Sequence, residues 1–175
     1  MSWNWIHPDY ETPVASAFLV LALLMPWSVA IQRPPLIKSF YTANWWFGQG
    51  LSVPDGRSGL VFVTDVVAAQ ATTSRTIVYG LWALITIGFI AGCIIALLSI
   101  TETAVGNSPP IHRVAGMTLL AAGTGYTLIT VWVLLFGTPG LHIPLGAVLM
   151  QVFGGLLITN RTTDIDQPPL PDDIT

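Results

Sequence analysis

Charge is what this sequence has least of. Only 9% of its 175 residues are Asp, Glu, Lys or Arg, against roughly a quarter in an ordinary soluble domain. So few charges cannot furnish a water-facing surface for a chain of this length. Basic residues are the scarcer kind, six Lys and Arg against nine Asp and Glu, for a net charge of −3. Phosphate backbones are held by clustered cations, so nucleic acid is excluded as a partner. A single cysteine, Cys93, rules out an intramolecular disulfide and any multi-cysteine metal site. The three histidines, His7, His112 and His142, do not fall at one depth on facing helices, as haem ligation between helices requires. Interfacial hydrogen bonding is the role expected of them.

The apolar runs also lack Asp, Glu, Lys and Arg, which disfavours a proton or ion pathway, because charges within a membrane span persist only for function. Asp55, Asp65 and Glu102 stand isolated, with no Ser–His or Cys–His arrangement nearby. The chain is therefore read as non-enzymatic, with no catalytic, metal or cofactor residues.

What is abundant is hydrophobic sequence, 53% of the chain, gathered in four runs that read as membrane helices of about 20 residues. The first, residues 14–31, follows Glu11-Thr12-Pro13, where Thr12 caps the helix and Pro13 suits its first position. It has no basic start and no small-residue cleavage site, so it reads as a retained helix rather than a signal peptide, with a kink at Pro26. The second covers 77–100 and the third 114–136, joined through the polar turn Asn107-Ser108-Pro109-Pro110. Gly137-Thr138-Pro139-Gly140 leaves room only for an immediate return into the fourth, 141–158. The expected fold is an all-α membrane protein: a four-transmembrane-helix bundle over residues 1–161, followed by an acidic, proline-rich tail over 162–175.

Residues 32–76 are too polar to span and too long for a linker. Leu51-Ser52-Val53 and Gly59-Leu60-Val61-Phe62-Val63 flank Pro54-Asp55-Gly56-Arg57, which predicts a small β-hairpin. Ahead of it, Trp45, Trp46 and Phe47 form an aromatic cluster of the kind that anchors interfaces. Small residues recur along the helices: Gly88 and Gly92 on the second, Gly116, Gly123 and Gly125 on the third, Gly146, Gly154 and Gly155 on the fourth. Such residues let helix backbones approach closely in lipid, within one chain or between chains. In the tail, Ile165, Leu170 and Ile174 are spaced to dock as an extended segment on a partner.

One helix, a long partly β loop containing Trp45-Trp46-Phe47-Gly48, and three helices with short turns form a layout that resembles claudin-like four-helix membrane proteins. Leu24-Met25-Pro26-Trp27-Ser28 and Pro139-Gly140-Leu141 are similar to strings in small four-helix membrane proteins of halophilic archaea and their viruses. That second resemblance implies no defined activity.

The function expected from these features is that of a structural or accessory subunit of a larger membrane assembly, cellular or in a virion. Its partners would be the lipid bilayer and other subunits or further copies of itself. The alternative is a surface binding or adhesion module acting through loop 32–76, and a small channel or transporter ranks third. The long loop is placed outside the membrane and both termini on the cytoplasmic side.

Overall fold

The computed structural model describes residues 6–7, 10–32, 40–52, 58–62, 64–65, 73–102, 111–136 and 140–159. The chain order is α1 (Glu11–Leu24), β1 (Ser28–Gln32), β2 (Phe40–Asn44), β3 (Gly48–Ser52), β4 (Ser58–Phe62), α2 (Thr73–Glu102), α3 (Ile111–Phe136), β5 (Gly140–Ile143) and α4 (Leu145–Thr159).

The helices pack around α3. Antiparallel to it, α4 presses Gly154 against the Gly116 backbone and Ala147 against Gly123, while α2 presses Gly92 to Thr118 and Ile85 to Gly125. Parallel to its first half, α1 has Glu11 beside His112 at one end and Trp27, just past its other end, beside Tyr126. The start of α1 and the end of α4 therefore meet α3 at the same, N-terminal end. The core is built from Leu19, Ala22, Trp82, Phe89, Ala115, Leu119, Tyr126, Met150 and Leu157.

At the other end stands a five-stranded antiparallel sheet in the order β4-β3-β2-β1-β5. Val29 and Ile31 suit a pleated, half-buried surface, and β5, supplied from between α3 and α4, pairs Val29 with Ile143 and Ile31 with Leu141. On one face Ser28, Ala30, Thr42 and His142 are buried. On the opposite face one row runs Ile143, Val29, Ala43, Gly50, Leu60, and the next runs Leu141, Ile31, Tyr41, Ser52, Ser58.

The expectation of an all-α, four-span bundle is overturned by this sheet and by the lengths of the helices. Among the described residues two helical stretches are long and apolar enough to cross a membrane, Ile77–Ser99 and Ile111–Phe136. The other two helices, α1 of 14 residues and α4 of 15, fall short of the ~20 that a hydrocarbon layer needs. The physical reason lies in two prolines. Pro26 does not kink a long helix but ends it, since a proline cannot donate to the preceding turn, and the β-branched residues after it enter β1. Pro144 likewise divides Leu141-His142-Ile143, which are strand, from α4. Strands β3 and β4 pair around the expected hairpin turn, but as one margin of a larger sheet; residues 53–57 of the turn lie outside the described residues. With two helices long enough to span in place of four, the layout behind the resemblance to claudin-like proteins is also lost.

Candidate functional site

The densest constellation of polar and aromatic contacts lies where α1 ends and the sheet begins. A helix terminus leaves its last carbonyls without intrahelical partners, and Pro26 has no N–H to offer one. The β2–β3 turn supplies the missing donors. Trp46 Nε1 donates to the Leu23 carbonyl at 3.0 Å and Trp45 Nε1 to the Leu24 carbonyl at 3.2 Å. In return Trp27 Nε1 donates to the Trp45 carbonyl at 3.1 Å.

Trp27 is the centre of this joint. Its backbone N–H donates to Asn44 O, and its carbonyl accepts from Ala147 N, an otherwise orphan donor in the first turn of α4. Close approach there depends on Gly146, because a side chain at that position would run into the Pro26 carbonyl. The Trp27 ring stacks on Tyr126 with centroids 5.0 Å apart and meets Trp82 edge-on at 5.9 Å. Thr86 Oγ1 donates to the Trp46 carbonyl at 3.0 Å and lies 3.2 Å from the Tyr126 hydroxyl. A hydroxyl has one proton, so Tyr126 is the donor in that second bond. Five elements, α1, β1, β2, α2 and α3, are thus tied through one buried aromatic group, with α4 hung on the Trp27 carbonyl.

A second joint sits about 21 Å along α3 at its other end, 14 residues from Tyr126. His112 is fully buried, and its Nδ1 lies 3.0 Å from Glu11 Oε2, whose side chain is 12% exposed. This pairing couples the first turns of α1 and α3. Between the joints, Gln151 Nε2 donates to Thr127 Oγ1 at 3.1 Å and links α4 to α3.

The residues singled out in the sequence are distributed as follows. Trp45 and Trp46 are partly buried and engaged with α1, and Phe47 packs between them. Gly92, Gly116, Gly123, Gly125, Gly146 and Gly154 lie against neighbouring elements of the same chain, whereas Gly88 and Gly155 face open space. Ile165, Leu170 and Ile174, with the tail that carries them, lie outside the described residues. Sequence reasoning passed over Trp27, Tyr126 and Glu11. Two signals could have found them: an aromatic directly after a helix-ending proline, and the single tyrosine midway along the third apolar run.

No group of three or more His, Cys, Asp or Glu side chains gathers to hold a metal ion among the described residues. Fold and site together define a helical protein whose apolar bundle is locked at one end to an antiparallel sheet through an aromatic joint. Residues 4–162 match the family of unknown function DUF7549, and the chain belongs to that family. No curated protein shows a match to the chain.

Proposed function

We propose that this protein is a non-catalytic structural subunit of a membrane assembly, anchored by α2 and α3. One observation carries this reading: large apolar side chains stay uncovered along both long helices. Ile77, Leu84, Ile87, Ile95 and Leu98 on α2 and Leu128 and Leu135 on α3 are each more than half exposed. A monomer in water rarely leaves contiguous apolar patches beyond a few hundred Å², whereas lipid tails or a neighbouring subunit accept them. The polar groups support a scaffold as well, since those of Thr86, Tyr126, Trp46 and Gln151 are taken up in tying elements together. Native mass measurement after reconstitution into lipid nanodiscs tests the reading. The expected mass exceeds one chain, through copies or a partner, and a homogeneous monomer would contradict assembly.

A second reading, partner recognition through the 32–76 segment, is favoured by one feature. All five residues of β4 are exposed at the margin of the sheet, and an edge strand offers backbone donors and acceptors to an added strand. Leu60→Lys, a charge that blunts such an edge, should then abolish partner capture while membrane insertion persists. Unchanged capture removes β4 from the reading.

A further inference from the structure

The two short helices and the two long ones cannot end at the same depth, and the sheet stands beside the excess. Counted from His112, the Tyr126 and Trp27 joint is about 21 Å up the bundle, and α3 continues for 10 further residues, about 15 Å, to Phe136. A hydrocarbon layer of about 30 Å laid from the His112 level would reach residue 132 of α3. Trp132 stands there, half exposed and packed on Phe136, as aromatic residues do at a bilayer boundary.

Chain connectivity then fixes the level of β5. It descends from the top of α3 to the start of α4, which Ala147 holds beside Gly123. Ile143 and its partner Val29 therefore come below the boundary, and Leu141 with Ile31 come at it. These side chains share the sheet face opposite the buried one: Leu141 is 57% and Ile143 45% exposed, while farther along the face the Trp45 ring covers Gly50. Neither row of that face carries a charged residue, and the row at the boundary level runs from Leu141, Ile31 and Tyr41 on the side of α3 to Ser52 and Ser58 at the far margin, a mixture of apolar, tyrosine and hydroxyl groups that suits the headgroup level.

We propose that this sheet face, around Ile143, Val29, Leu141, Ile31 and Tyr41, lies on the lipid surface at the boundary of headgroups and acyl chains. The sheet is thereby a second membrane-contacting element and not a freely projecting ectodomain. Full immersion is ruled out by the open sheet edge, whose backbone groups need water or headgroups as partners. The occupant is lipid because β5 packs beside α3, whose outer side chains Leu128, Val131 and Leu135 are uncovered and apolar, and because the face has no charge with which to choose a charged partner. The inference rests on the membrane reading above.

The test uses the full chain with Cys93→Ala, reconstituted in phosphatidylcholine vesicles and carrying one nitroxide-labelled cysteine. The sites are Leu141 and Ile143, with Leu128 as a reference on α3 and Ser58 as a reference on the polar end of the face. All four side chains are exposed, so labelling disturbs no packing, and Tyr41 replaces any position whose variant fails to fold. At Leu141 and Ile143, collision with oxygen should exceed collision with a water-soluble nickel chelate severalfold, as at Leu128, and the ratio should invert at Ser58. A lipid-like Leu128 with water-like Leu141 and Ile143 overturns the inference alone. Low collision with both probes at those two sites also overturns it, by revealing a protein partner on the face. A water-like Leu128 removes the membrane reading itself.

Discussion

Tyr126 serves the joint twice, through its ring against Trp27 and through its hydroxyl toward Thr86. The two contributions differ in size. Losing one hydrogen bond costs about 1 kcal/mol, whereas emptying a buried aromatic site costs about 3–5 kcal/mol. Tyr126→Phe should therefore lower unfolding stability in detergent only slightly, and Tyr126→Ala severely; equal losses would place the strength of the joint in the hydroxyl. Glu11 makes a different case, because it faces a fully buried histidine. Glu11→Ala leaves His112 without its acid and should cost about 1–3 kcal/mol. In a double-mutant cycle with His112→Leu the losses should fall short of additive; strict additivity would mean that the contact at 3.0 Å stabilises nothing.

At the scale of elements, the glycines separate into closed and open positions. Gly116 and Gly154 face each other's backbones across α3 and α4, while Gly88 on α2 has open space before it. Gly116→Leu or Gly154→Leu should overpack the contact and cost about 1–3 kcal/mol. Gly88→Leu should stay within about 0.5 kcal/mol, as surface changes do. A Gly88→Leu variant as damaged as the other two, in the same thermal unfolding measurement, would show that α2 has a partner on that side. The glycine spacing was visible in the sequence, but not which helix each residue meets, because small-residue periodicity carries no partner identity. The two long helices were legible for a plain reason: α2 and α3 contain long uncharged stretches with no internal proline. The sheet was not, because Val29-Ala30-Ile31 and Leu141-His142-Ile143 are as apolar as the helices beside them, and short apolar runs fit either structure. Pro26 and Pro144 held the missing information. The pairing of β5 with β1 joins residues more than 100 positions apart, and no local pattern specifies that. The aromatic cluster at Trp45 and Trp46 was also visible, yet its task was not, since donors to α1 carbonyls are defined only once the β2–β3 turn folds back.

For the whole molecule, the two joints define a bundle about 21 Å deep that α2 and α3 outrun, and the sheet stands beside that excess. This arrangement explains why α1 and α4 need not span by themselves: each buries a face against α3, while their sheet-side ends are closed by Trp27, Trp45 and Trp46. It also places the uncovered apolar surface on the outside of the longest helices, where water would be the worst neighbour. The central claim is that lipid covers those surfaces. Membranes from cells expressing the full chain, washed in alkaline carbonate and sedimented, give the most direct measure. The account predicts that the chain stays in the pellet and is released only by detergent. Recovery of the chain, folded and monodisperse, in the detergent-free carbonate supernatant would contradict it.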